Sequence, residues 1–299
     1  LRVSTVPTSY GERSVLRILD KSTGILSLEQ LGLCKEDQQN FDRMINCSHG
    51  VIFVTGPTGS GKSTTLYACL NRIDSTQKNV MTIEDPIEYQ LDGISQMQVA
   101  AKKGMTFINA LRHVLRQDPD VIMVGEVRDE ETARMAIQSS LTGHLVFSTL
   151  HTNDASGAVS RLLDFDVEPY LVSSSLIGCL AQRLVRRICP DCKQPYFPSE
   201  HELRELGLGH MDEDIHFYVG AGCSKCFDTG YRGRTGIYEL ITMTETIREM
   251  VYNKQSAGAI KKAAIDEGLK TLRMDGAQKV LKGITTISEV LRVTQADVV

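Results

Sequence analysis

The chain has 299 residues, 41% of them hydrophobic and 23% charged, and its 33 basic and 37 acidic side chains leave a net charge of -4. At that length one large domain with attachments is expected, because single hydrophobic cores stop growing near about 250–300 residues. The acidic balance offers no broad cationic field to a phosphodiester backbone, so no nucleic-acid partner is expected. No apolar run approaches the roughly 18 residues of a membrane span and no leader pattern is present, so the expected location is the cytoplasm.

In chain order, the first text is strand-like, LRVSTVPTSYGERSVLR, and carries Arg2, Arg13 and Arg17. By itself it reads as a solvated strand face. It starts at Leu1 in mid-strand, so a longer protein is expected upstream. Four short β-rich runs follow: VIFVT (51–55), VMTI (80–83), VIMV (121–124) and LVFST (145–149). Segments of helical spacing separate them, one opened by a candidate cap at Asp129. Apolar strands alternating with helices predict an α/β core, a parallel sheet covered on both faces. Ligands of such sheets sit beyond the carboxyl ends of the strands, which makes the residue after each run informative.

The first run ends in GPTGSGKST, residues 56–64, which matches the phosphate-loop pattern at every fixed position. Gly56, Gly59 and Gly61 allow backbone N–H groups of the loop, which also contains Pro57, Thr58 and Ser60, to curl around phosphate oxygens. Lys62 would reach the β- and γ-phosphates of ATP, Ser63 would hold Mg²⁺ through its hydroxyl, and Thr64 continues into the helix. After the second run, Glu84-Asp85-Pro86, with Glu88 close behind, reads either as a solvated acidic turn or as a carboxylate that orients an attacking water. After the third, Glu126 reads as an acid of the metal shell or as an ion-pair partner for Arg128. The fourth lies between His144 and His151, and His151 falls at the same sheet edge as the other groups, placed to meet a γ-phosphate. Four strand ends bearing a phosphate loop, an acid turn, another acid and a histidine suit a nucleoside-triphosphate hydrolase.

Farther on, Cys189-x₂-Cys192 and Cys223-x₂-Cys226 present two thiol pairs, the pattern of a closed tetrahedral Zn²⁺ site. Free thiols and a redox pair are the other readings. The 30 residues between the pairs exceed the usual zinc-ribbon spacer and predict a small subdomain, in which His201, His210 and His216 are spare ligands. The single residues Cys34, Cys47, Cys69 and Cys179 read as small buried hydrophobes. GYRGRTGIYELI then predicts hairpin-like strands. From 245 onward the text is helical and amphipathic, with capping boxes read at Thr242-x-x-Glu245 and Thr286-x-x-Glu289.

GPTGSGKSTT, IEDPIEY, LRQDPDVIMVGEVRD and TGHLVFSTLHTND together resemble the four motifs of the secretion ATPases of type II secretion and type IV pilus systems. The resemblance spans essentially the whole chain. The text AVSRLLDFDVEPYLVSSSLIGCLAQRLVRRICPDC leans toward the type II branch, with the pilus extension ATPases as the alternative. It implies a RecA-like core, ATP with Mg²⁺ on residues 56–64, Glu84 as catalytic base, Glu126 as metal-water ligand and a histidine box of His144 and His151. It also implies homo-hexamers in which Arg2, Arg13 and Arg17 reach a neighbour's γ-phosphate. Partners would be inner-membrane components of the machine, so that the protein sits peripherally at the bacterial inner membrane without a span of its own. The expected organisation is 1–27 as the remnant of a preceding domain and linker, 28–188 as the ATPase core, 189–226 as the zinc subdomain and 227–299 as the C-terminal, mostly helical part. A nucleic-acid translocase and a non-hydrolysing assembly module are the competing classes; DNA-stimulated hydrolysis would favour the first, and inactivity of the complete protein with its membrane partner the second.

Overall fold

The computed structural model describes residues 2–17, 26–209 and 216–295. Its strands are β1 (Arg2–Thr8), β2 (Gly11–Arg17), β3 (Gly50–Thr55), β4 (Val80–Glu84), β5 (Ser95–Gln98), β6 (Val121–Val124), β7 (Leu145–Leu150), β8 (Leu176–Ile188), β9 (Lys193–Tyr196), β10 (Phe217–Gly220) and β11 (Tyr231–Thr242). Seven of them form one sheet in the order β11-β8-β3-β7-β6-β4-β5. Every pairing in it is parallel except β11 against β8.

All four apolar runs are strands of this sheet. Because side chains alternate along a strand, β3 sends Val51 and Phe53 into one core and Ile52 and Val54 into the other. The first core is closed by the helices Glu130–Leu141 and Ala155–Asp164, the second by Lys35–Ile45 and Lys62–Leu70. The sheet is thus dry on both faces, as the unbroken apolar runs require.

Chain order and spatial order differ in a way that matters. The phosphate-loop strand β3 neighbours β7, followed by β6 and β4, so four consecutive strand ends line one edge. The hairpin β1–β2 is a separate two-stranded sheet in which Arg2 pairs with Arg17 and Val6 with Arg13. The thirty-residue excursion between the thiol pairs forms β9 and β10, antiparallel, with the short helix Glu200–Glu205. It does not fold apart from the rest. Leu206 and Phe217 share a core with Ala277, Val280, Ile287 and Val290 of the C-terminal helices.

Asp129 caps its helix as expected, accepting from the Thr132 N–H at 2.8 Å. The capping box expected at Thr242 is corrected: Thr242 still belongs to β11, and Thr244 caps Glu245–Tyr252. Thr286 does cap Ile287–Val293, but the Glu289 carboxylate closes no box, because it turns to two arginines instead. Cys69 and Cys179 are buried as read, whereas Cys34 and Cys47 are only half-buried. The Cys34 thiol donates to Asp37 at 3.0 Å.

Candidate nucleotide site and thiol cluster

The phosphate loop leaves β3 at Thr55 and enters the helix Lys62–Leu70 through Gly61, whose φ of 90° is open to few residues besides glycine. Gly56 is needed for space as well, since a Cβ there would come within 2.6 Å of both the Gln182 carbonyl and Ser60 Oγ. Thr58, Gly59, Gly61, Lys62, Ser63 and Thr64 line a cleft of about 560 Å³, while Ser60 is buried behind it. Lys62 Nζ donates to the carbonyls of Gly56 at 2.8 Å and Pro57 at 3.2 Å, folded onto the loop it would leave for a phosphate. Burial lowers its pKa, Glu126 opposes the shift and Arg183 adds to it, for a net lowering.

Opposite the loop stand the acids. Glu126 is paired with Arg128 at 2.6 Å and lies 3.6 Å from His151 Nε2, so the ion pair and the strand-end placement hold together. Burial and then the Lys62 charge lower the His151 pKa, against the pull of Glu126, which favours neutral imidazole at pH 7. Glu84 is buried at the end of β4, and both of its oxygens are engaged. It accepts from the Tyr67 hydroxyl, from Thr82 Oγ1 at 2.5 Å and from Gln96 Nε2 at 3.0 Å. Glu88, four residues on, also lines the cleft, and its carboxylate has no bond to a described residue.

His144 is a correction. It precedes β7, at the opposite end of that strand from His151. Six residues of strand separate the two ends by roughly 20 Å. Its Nδ1 lies 2.7 Å from the Ser139 carbonyl, and it does not line the cleft. Arg13 lies on the exposed hairpin and does not line the cleft either; the side chains of Arg2 and Arg17 lie outside the described residues. Sequence reasoning overlooked Leu184 and Arg234, which enter the cleft from β8 and β11, and Gln182, whose Nε2 donates to the Ser60 carbonyl at 2.6 Å. Gln182 and Leu184 arrive because β8 lies against β3, a pairing more than a hundred residues distant in the chain, and Arg234 because β11 lies against β8.

The four thiols converge. Cys189, Cys192, Cys223 and Cys226 have every Sγ within 4.8 Å of the others, and three of the separations are 3.9, 3.9 and 3.7 Å. A tetrahedron of thiolates with Zn–S of about 2.3 Å has edges of about 3.8 Å. The donor set therefore fits Zn²⁺, and the Cys223 N–H donates to Cys226 Sγ at 3.2 Å, which would help hold that sulfur in place. His201 pairs loosely with Glu205 and His216 is exposed; neither joins the cluster, and His210 lies outside the described residues.

The sequence profile described as Type II/IV secretion system protein matches residues 1–292. The chain belongs to this family. It is 53% identical over 297 residues to the Type II secretion system protein E of Dickeya dadantii, covering 99% of the chain and 59% of that protein. It is 50% identical over 292 residues to the Type IV pilus assembly ATPase PilB of Thermus thermophilus, covering 97% of the chain and 33% of that protein. The fold is similar to the crystal structure of the pilus retraction motor PilT with bound ADP, with a TM-score of 0.70, 28% identity and coverage of 97% of the chain and 72% of PilT. The chain therefore spans somewhat over half the length of the type II secretion relative. As family and fold, these agree with the α/β ATPase core and tetracysteine lobe expected from the sequence. No helix among the described residues is long and apolar enough to cross a membrane.

Proposed function

We propose that this chain carries the ATP-hydrolysing site of a type II secretion motor, converting ATP to ADP and phosphate to drive pseudopilus assembly and protein export. One observation carries the reading: a phosphate loop, an acid turn, Glu126 and His151 meet in a single cleft at four adjacent strand ends. The 53% identity to a protein E supports the branch, and the 50% identity to PilB supports type IV pilus extension as the second reading.

In this proposal the curled N–H groups of residues 56–64 and the end of the following helix bind the phosphates. Lys62 leaves the Gly56 and Pro57 carbonyls for the β- and γ-oxygens. Ser63 and Glu126, both on the cleft, are the residues that would hold Mg²⁺, directly and through water; the ion when bound spreads the developing phosphate charge. Glu84 was the base expected from the sequence. Glu84 lines the cleft too but is held by three donors, so in this proposal the role passes to Glu88, which lines the cleft and whose carboxylate has no bond among the described residues. His151, neutral, would contact the γ-phosphate. The site would be completed in a homo-hexamer by a neighbour's Arg2, Arg13 or Arg17, an addition worth ~10³ to 10⁵ in rate when an arginine serves in trans. The thiol lobe, holding Zn²⁺, is structural and stands apart from the chemistry. Inner-membrane components of the machine are the proposed partners, which place the protein peripherally on the cytoplasmic side; no nucleic acid is involved. The organisation into 1–27, 28–188, 189–226 and 227–299 is kept as proposed units, with β11 completing the core sheet.

The test is phosphate release by the intact protein across a range of concentrations. Lys62→Ala should reduce turnover by at least about 10²-fold, the cost of losing one strong charge-stabilising donor. Turnover retained in that variant would overturn the assignment. Specific activity that climbs with concentration would support completion of the site between subunits, and a flat rate would remove the trans arginines.

A further inference from the structure

Tyr67 joins the two halves of the cleft, and nothing in the motif text announces it. It sits in the helix that follows the phosphate loop, five positions beyond Lys62, and is completely buried. Its hydroxyl donates to Glu84 Oε2 and accepts the Glu88 N–H at 3.3 Å. The ring meets Tyr89 edge to face, with centroids 4.9 Å apart. One oxygen on the phosphate-loop helix thus holds both ends of the acid turn, its side chain at Glu84 and its backbone at Glu88.

The other donors to Glu84 come from elsewhere. Thr82 belongs to the same strand as Glu84, and Gln96 belongs to β5, where it also braces the backbone of Tyr89 and Leu91. Those bonds hold the turn to the sheet. Only Tyr67, among these donors, ties it to the element that carries the phosphates. Burial, reinforced by the contact with Glu84, raises the phenol pKa, so the hydroxyl remains protonated and keeps donating.

We infer that Tyr67 is a positioning residue for hydrolysis, its hydroxyl fixing the distance between the acid turn that orients the attacking water and the loop that holds the phosphates. The role presupposes the reading of the cleft given above, with Glu88 as the water-orienting carboxylate. A water in line with a γ-phosphate reacts only in a narrow range of geometry, and loss of a single constraint outside the chemistry can cost 10²-fold. Tyr67 makes no contact with substrate in this role. Removing its oxygen should therefore change turnover and leave nucleotide affinity nearly intact.

The experiment compares the intact protein with Tyr67→Phe, Thr82→Val and Glu88→Gln, measuring kcat for phosphate release and, separately, the Kd for a fluorescent ATP analogue. Tyr67→Phe should lower kcat about 10- to 100-fold with Kd changed by less than about threefold. Thr82→Val, which also takes a donor from Glu84 but leaves the link to the helix, should stay within about threefold of wild type in both. Analogue binding doubles as the check that each variant is folded. In the Glu88→Gln background, Tyr67→Phe should add no further loss, because both act on one step. An unchanged kcat in Tyr67→Phe, a Kd that rises in step with the lost turnover, or an equal loss in Thr82→Val would each overturn the role. Full activity in Glu88→Gln alone would instead overturn the assignment of Glu88, and the two failures are distinct.

Discussion

Replacing Glu289 by glutamine would test how the C-terminal helices are fastened to the core. Glu289 is buried, and its carboxylate accepts the Arg186 N–H at 2.8 Å, Arg186 Nη2 at 2.7 Å, Arg292 Nε at 2.8 Å and Arg292 Nη2 at 2.9 Å. Burial pushes its pKa upward, but the bonds from Arg292 and Arg186 more than reverse this and leave it at about 2, against an ordinary 4.5. A shift of that size corresponds to roughly 3 kcal/mol at ~1.4 kcal/mol per pKa unit. The two guanidinium groups are 48% and 54% exposed, so solvent screening reduces the expected effect to about 2 kcal/mol. Because the folded pKa is depressed, this stabilisation is fully present above pH 4.5 and is lost as the pH falls toward 2. Urea melts of wild type and Glu289→Gln should therefore differ by about 2 kcal/mol at pH 7, with the gap closing below pH 4.5. Any loss of metal in acid affects both proteins alike and cancels in the difference. A gap as wide at pH 3 as at pH 7, or none at pH 7, would refute the ionic origin of the fastening.

If the four thiols hold zinc as proposed, Cys189→Ser should lower the zinc content measured by atomic emission and destabilise the lobe together with the helices that share its core, while affinity for an ATP analogue stays within about threefold; an unchanged metal content would refute the structural zinc site. In His151→Asn the acid limb of the pH profile for kcat/KM should disappear. The His151 pKa is lowered below its usual 6.5, so wild-type activity should fall only in the range below that value, where the imidazole becomes charged; a limb that persists in the variant belongs to another group.

Much of the cleft was legible because its chemistry is local. A loop that wraps phosphates needs glycine at fixed offsets, so residues 56–64 announce themselves with no knowledge of the fold. The four buried strands are likewise visible as unbroken β-rich runs, and two CxxC pairs have few uses other than a metal. The residues that escaped are those whose partners lie across the sheet. Gln182 and Leu184 look like ordinary strand text until β8 is laid against β3, and Tyr67 looks like any aromatic on a helix until β4 delivers Glu84 to its hydroxyl. Glu84 was visible as an acid, but the three donors that occupy it were not.

The contrast between His151 and His144 was legible as well: both flank one apolar run, but parallel strands place their ligands at the carboxyl edge, where His151 lines the cleft and His144 does not. The sequence by itself determined the four apolar core strands, the phosphate loop and the two thiol pairs, since these follow from short-range patterns of shape and polarity. Only the tertiary structure decided which donors occupy Glu84, that Leu184 and Arg234 join the cleft, and that the thiol lobe shares a core with helices ending the described chain, because each depends on strand order and long-range packing that no local window contains.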